Sequence, residues 1–473
     1  MIIAVIAIYL LGMIGIGLAY RKRASTDTES YLVAGRRMKS LIGGGALAST
    51  YASTSSFLGT LGAMYALGIA FGMWQNFGVI IGFALAAIFI APRFREYMPL
   101  SFSEFFVKRY DNRVRVVSAV VTVVAMFVYV LIQLQGGAYA MSYVLGVNHQ
   151  VGVIVIGLIL LAYVVLGGSH SSMLSSFVQF LMMMVAMVTV AGIALWSQTW
   201  GETVSIAAEQ NAIALELSGD FGIFAGISVM VMMGLGVISS PHVYLMFMWS
   251  KSGKIAQRSA ALATTYLAIF YTVLFIVGAY IIATQTDLLQ PDMGYFEVLD
   301  HLPAIFIGLF VAAVLAAAMS TADAQLLNAT SAITNDLYQA VKGKPIREER
   351  SVLINRIVVL IIGAIAIVVA LDPPDLIVWL LAVAQTLMIG AFFAPIVLGL
   401  FWKRATATAA LMGMIVGFAS AVVTQFLPMP NEFVGGPISG ALSLITMVIV
   451  TLRTKTPANS IENSDAKVSA STS

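Results

Sequence analysis

The chain is 473 residues long, 60% hydrophobic and only 10% charged, with a formal net charge of +3 and no cysteine. About a quarter of a soluble domain's residues are charged, so this composition excludes a soluble enzyme, and the missing cysteine excludes disulfides, thiolate metal sites and cysteine nucleophiles. His149, His170, His242 and His301 stand apart in sequence and give no transition-metal spacing, while the basic residues form no stripe of the kind that binds nucleic acid.

A helix needs about 20 apolar residues to cross a bilayer. Runs of that kind fall at 2–20, 40–66, 70–92, 116–145, 151–167, 172–197, 221–248, 260–283, 303–337, 352–371, 376–401, 407–427 and 436–452. They predict an all-α polytopic membrane protein with thirteen transmembrane helices; runs without dyad alternation do not build a barrel. In the first run, Arg21-Lys22-Arg23 follows the apolar stretch instead of preceding it, which predicts a retained helix and not a signal peptide. All 25 Lys and Arg fall in alternate gaps, whereas the other gaps carry acids such as Glu202, Glu209, Asp287, Asp292, Glu297 and Asp372. The positive-inside rule then predicts a cell-membrane protein with its N-terminus outside and its C-terminus in the cytoplasm. The outer gap 198–220 is polar, with a possible short helix. The Ser/Thr/Asn-rich tail from 453 has no apolar periodicity and is predicted disordered.

Three runs carry chemistry. The second holds Gly43-Gly44-Gly45 and then Ser49-Thr50-Tyr51-Ala52-Ser53-Thr54-Ser55-Ser56, with Gly59 and Gly62 beyond. Six hydroxyl residues between glycines make a poor lipid anchor but a good oxygen-lined site, and local unwinding would free carbonyls for an ion or solute. Close helix packing with self-bonded hydroxyls is the plainer reading of any single serine. In the seventh, Pro241 should break the helix beside His242, a candidate gate residue that could equally be a packing histidine. In the ninth, Ala317, Ser320 and Thr321 share one helix face, as a dehydrated monovalent cation requires. Asp323, one turn on, is an intramembrane carboxylate and by default a functional-site candidate; a protonated packing residue is the plainer reading.

On these residues the chain resembles the sodium:solute symporter family over roughly 25–452. The similar stretches are Tyr31-Leu32-Val33-Ala34-Gly35-Arg36, Ser53 to Gly62, Gly167-Gly168 with Gln179, Ser240-Pro241-His242, Ala317 to Gln325 running on to Asn335-Asp336-Leu337-Tyr338, and Gly399-Leu400-Phe401-Trp402-Lys403. Ser55 to Gly59, Ser320 to Leu327 and Asp372-Pro373-Pro374-Asp375 look most like its pantothenate and monocarboxylate branch. The resemblance implies a LeuT-type inverted-repeat core of five plus five helices, with 31–200 and 201–404 as the repeats. An extra helix in 1–30, two helices in 405–452 and the tail 453–473 would lie outside it.

Carried over residue by residue, the resemblance implies sodium ligands at the carbonyls of Ser49, Ala52 and Ala317 and the hydroxyls of Ser320 and Thr321. Solute contacts would be Tyr51, Ser53, Ser55 and Ser56, with Gln133, Gln135 and Gln385 as further candidates. Many members have an Asp where this chain has Ser176, so Asp323 and Ser176 are a candidate second cation or proton site, the carboxylate having moved to a facing helix. The expected function is sodium-coupled uptake of a small monocarboxylate or pantothenate-like solute by alternating access, with proline, another amino acid, a sugar, or proton coupling through Asp323 as alternatives. No pore-lining charged rings suggest a channel, no cytoplasmic domain suggests a sensor, and no obligatory protein partner is evident.

Overall fold

The computed structural model describes residues 1–24, 28–210, 216–219, 221–285, 287–299, 302–372 and 376–454, with only the backbone of Arg21, Lys22, Arg23, Ala24, Leu166 and Gly167. His301, the predicted motif residues Pro373 to Asp375 and the predicted tail beyond 454 lie outside the described residues. Among those described there is no strand, and eleven helices are long and apolar enough to cross a membrane.

In chain order the principal helices are α1 (Ile2–Ala24), α2 (Ser40–Tyr51), α3 (Thr60–Leu67), α4 (Ala70–Glu96), α5 (Asn112–Leu145), α6 (His149–Val165), α7 (Gly168–Ser197) and α8 (Gly222–Ser239). They continue with α9 (Pro241–Trp249), α10 (Gly253–Thr284), α11 (Ala304–Lys342), α12 (Glu348–Ala370), α13 (Ile377–Phe401), α14 (Ala407–Thr424) and α15 (Gly435–Arg453). The count differs from thirteen for two reasons. The predicted second span is two pieces, α2 and α3, neither able to cross alone, and α6 is shorter than the rest. α6 and α7 run on into each other through Gly168, whose φ of 53° and ψ of −165° put a sharp corner there that a side chain would strain. The gap 198–220 does hold a short helix, Trp200–Gln210.

Burial separates centre from rim. The most apolar stretches of α11 and α13 are 78% buried inside the protein, against 22% for α1 and 28% for α12. α11 can sit centrally because Ala312, Ala313, Ala316, Ala317 and Ala318 let α5 and α7 approach its backbone closely. Two of the central elements are broken, α2/α3 and α8/α9.

At the basic end the strap 31–39 runs between helices. Ala34, Gly35 and Arg36 all take positive φ (52°, 55° and 54°), a costly run for two non-glycine residues. Leu32 O accepts from both Ser169 Oγ (2.6 Å) and Trp249 Nε1 (3.1 Å), and Met38 N donates to Trp249 O (3.0 Å), so the strap joins α7 to α9. Nearby, Arg115 on α5 and Asp336 on α11 form a buried ion pair at 2.8 Å, with Ser101 Oγ donating to the same carboxylate oxygen. Taking one partner away leaves the other charged and unpaired. Asp336→Ala should therefore cost about 3–5 kcal/mol, read as a lowered thermal midpoint in detergent, and adding Arg115→Met should restore most of it.

Candidate functional site

The break between α2 and α3 follows from where four amide hydrogens go. In a continuous helix the carbonyls of Ser49, Thr50 and Ala52 would accept from Ser53, Thr54 and Ser56. Here Ser53 N turns back to Tyr51 O (2.9 Å), Thr54 N donates to Gln133 Oε1 on α5 (3.3 Å), and Ser56 N and Phe57 N both converge on Ser53 O (2.9 and 3.0 Å). Three carbonyls are thereby released from the helix ladder. Two of them meet α11: Ser320 Oγ donates to Ser49 O (3.1 Å) and Ala317 O (3.2 Å), and Thr321 Oγ1 to Thr50 O (3.1 Å) and Ser49 O (3.5 Å). The predicted sodium ligands Ser49, Ala317, Ser320 and Thr321 thus meet across the α2–α11 contact. Ala52 caps α2 one turn away, with its amide still bonded to Ala48 O (2.7 Å). Thr50, absent from the predicted set, supplies a carbonyl that sequence reasoning missed.

The second break has the expected cause. Ser240 ends α8 at ψ 111° and Pro241 starts α9, so the amide that would have closed the turn does not exist. Tyr244 Oη takes up the Ile238 carbonyl at 2.5 Å. His242 is buried and packs between Tyr129 (centroids 5.1 Å apart) and Tyr51 (6.4 Å).

Around the first break the predicted solute residues form a buried polar cluster with others that were not predicted. Ser53 and Ser55 pair through their hydroxyls (2.7 Å), Ser56 Oγ pairs with Tyr271 Oη (2.8 Å), and Gln385 Nε2 donates to Tyr129 Oη (3.0 Å). Tyr51 stands edge-on to Phe83, and its hydroxyl, Gln385 Oε1 and His242 Nδ1 are buried without hydrogen-bond partners. Gln133 is spent holding Thr54. Gln135, two residues on, faces the other side of α5: its Nε2 donates to Tyr139 Oη (3.3 Å), and it lines a cavity at the acidic end. Tyr129, Tyr271 and Phe83 went unrecognised because a lone ring in an apolar run reads like any helix contact.

Asp323 lies in a separate cluster. Tyr163 Oη donates to its Oδ2 (3.1 Å) and also pairs with Ser175. Ser172 sits beside the same carboxylate. Ser172, Ser176 and Gln179 follow i, i+4, i+7 on α7 and so share one face. Asp323 Oδ1, Ser172 Oγ, Ser176 Oγ and Gln179 Oε1 are all buried without hydrogen-bond partners. Four such oxygens on facing helices suit a cation.

At the acidic end a cavity of about 770 Å³ is lined by Gln135, Tyr139, His149, Asp292, Asp372 and Trp379, among others. Asp292 wedges between α3 and α13: its Oδ2 accepts from Ile377 N (3.1 Å), while a Cβ on Gly62 would strike its Oδ1. Burial pushes its carboxyl up from 3.8 to about 7, partly offset by the Ile377 amide. Between those two values the folded chain keeps a proton that the unfolded chain has released, so stability falls as pH rises from about 4 to about 7. Asp292→Asn should flatten that slope, which thermal midpoints of both proteins across the range would test.

Residues 31–417 match the sodium:solute symporter family. The chain belongs to that family. It is therefore a Na⁺-coupled solute symporter and a multi-pass membrane protein, as its long apolar helices require. A sodium/proline symporter of Staphylococcus aureus (strain USA300 / TCH1516) is 29% identical over 98% of this chain and 94% of its own length. The same holds for the sodium/proline symporter of strain JH9. In fold, the chain matches a Na⁺-coupled sialic acid symporter in a substrate-bound outward-open state, with a TM-score of 0.83 and 20% identity over 96% of this chain and 98% of that one. MhsT in complex with L-phenylalanine is a more distant fold match, with a TM-score of 0.56 and 13% identity over 87% and 98%.

Proposed function

We propose that this symporter carries a small zwitterion, an amino or imino acid such as proline, into the cell together with sodium. The observation that supports this is the absence of fixed charge in the polar cluster around the break. Tyr51, Tyr129, Tyr271, His242, Gln385 and the serines of the break supply hydroxyls, an amide and an imidazole, and the sequence offers no Lys or Arg among them. A net-neutral solute asks for no fixed counter-charge, and the free Gln385 Oε1 suits an ammonium group. A monocarboxylate or pantothenate would bring a net negative charge for sodium and hydroxyls alone to offset. The sodium/proline relatives favour the zwitterion too.

In this reading one sodium binds Ser49, Ala52 and Ala317 through carbonyls and Ser320 and Thr321 through hydroxyls, tying α2 to α11. Asp323, Ser172, Ser176 and Gln179 hold a second cation. The chain crosses the membrane thirteen times if α2/α3 and α6 each count as a span, with the N-terminus outside, the C-terminus in the cytoplasm and a five-plus-five core around the two broken helices. The acidic-end cavity is then extracellular, and the strap 31–39 closes the cytoplasmic side. Each inward sodium charge contributes about 2.3 kcal/mol per 100 mV. Binding is reciprocal, so sodium raises solute affinity by the same factor as solute raises sodium affinity.

Uptake into proteoliposomes under an inward sodium gradient tests this, with labelled proline, a neutral amino acid, pantothenate, a short monocarboxylate and a sugar. Sodium-driven accumulation of a zwitterion alone is expected; accumulation of only the monocarboxylate or pantothenate overturns the solute assignment.

A further inference from the structure

The first helix was expected to stand outside the transporting core, and most of its surface does. Its buried side chains among the described residues are Ile6, Tyr9 and Met13, 5%, 8% and 4% exposed, which with buried Gly17 make a single stripe packed on α7 and α11. Tyr9 alone in that stripe is polar. Its hydroxyl accepts from Gln179 Nε2 (3.0 Å) and donates to Met319 Sδ (3.6 Å). Met319 and Asp323 lie one turn apart on α11, and Gln179, Ser176 and Ser172 run beside them on α7 toward the basic end. Asp323 is within electrostatic reach of the Tyr9 hydroxyl.

A carboxamide presents a donor at one end and an acceptor at the other. A cation site can use only the acceptor. Left to itself, Gln179 would do best to point its NH₂ at the Asp323 carboxylate, the strongest acceptor nearby. That would place a competing donor where an ion should sit. Tyr9 prevents this by taking Nε2, which leaves Oε1 on the opposite side, buried and without a hydrogen-bond partner. Thioether sulfur is a weak acceptor, so the bond to Met319 costs Tyr9 little and still fixes the direction of its proton away from Gln179.

We propose that Tyr9, carried by the peripheral helix α1, is a positioning residue for the cation site at Asp323, setting the Gln179 amide with its oxygen toward the ion. This rests on the reading that the Asp323 cluster holds a cation. It gives α1 a part in coupling as well as in packing, since the outermost helix holds one wall of an inner ion site.

The test uses the full chain in proteoliposomes. Tyr9→Phe keeps the ring and its packing and deletes one hydroxyl. The half-saturating sodium concentration should rise about fivefold, the worth of one misplaced hydrogen-bonding group, while solute KM at saturating sodium stays the same. In a Gln179→Ala background, Tyr9→Phe should add nothing, because the group it orients is gone. Thermal stabilisation of the purified protein by sodium gives the same comparison without transport. A normal sodium curve for Tyr9→Phe, or an equal further loss in the Gln179→Ala background, overturns the proposal. Asp323→Asn separates the two levels. If it alters sodium activation and Tyr9→Phe does not, only the role of Tyr9 falls; if Asp323→Asn leaves sodium activation unchanged, the cation site itself falls.

Discussion

Thr321→Val should raise the half-saturating sodium concentration about tenfold or more, which corresponds to about 1.4 kcal/mol of lost ion binding. Valine keeps the branched shape of threonine in a position that is fully buried, so the variant removes the hydroxyl oxygen and little volume. The Thr321 hydroxyl bridges α11 to the Thr50 and Ser49 carbonyls, and Ser320 bridges to Ser49 and Ala317. Ser320→Ala should act in the same direction, whereas Thr321→Ser, which keeps the oxygen, should stay near the parent. Because coupling is reciprocal, solute affinity should drop at low sodium and recover at high sodium. Sodium-activation curves of uptake decide it, and unchanged curves for both hydroxyl deletions would remove α11 from the ion site.

Legibility followed the physics of each residue. The α2 break could be read because six hydroxyls flanked by glycines make an unstable lipid-facing helix, and Pro241 because a missing amide is written in the residue type. What could not be read is which partner each released group finds. Thr54 N reaching Gln133, 79 residues away, frees the Thr50 carbonyl, and no local pattern contains that pairing. Gln133 and Gln135 looked equivalent, yet two residues on a helix turn the side chain through most of half a circle, so one holds the break and the other lines the acidic-end cavity. Tyr9 and Asp292 were hidden for opposite reasons. Tyr9 sits in a run that looks lipid-facing, and Asp292 in a loop that looks solvated; both become buried only when distant helices close over them.

The span count shows the same limit. Hydropathy sums over a window and is blind to whether the window is one helix, so 40–66 scored as a span although Ala52 and Ser53 interrupt it. In a transporter, the windows that fail the length test are those worth examining, because lipid tolerates irregular backbone only where it lines a cavity.

Asp323→Asn should have the second large effect. The side chain is 1% exposed, and asparagine keeps its size while exchanging a negative oxygen for an amide donor. If the cluster binds sodium, the half-saturating concentration should rise about tenfold or more, since charge-assisted contacts are roughly twice as strong as neutral ones. The number of sodium ions moved per solute should fall by one, measurable as a smaller charge translocated per solute taken up. The Tyr163 hydroxyl, which donates to the carboxylate in the parent, can still donate to the carboxamide oxygen of the variant, so the fold should survive and protein levels should not change. The proton-coupled alternative makes a different prediction. There the carboxyl itself carries the second charge, Asp323→Asn leaves the sodium curve alone, and the pH dependence of uptake flattens instead. The oxygens argue for sodium. A proton needs one acceptor, whereas the α7 face that packs on α11 carries buried Ser176 and Gln179 oxygens without hydrogen-bond partners besides Ser172 next to the carboxylate, more oxygen than a proton would use.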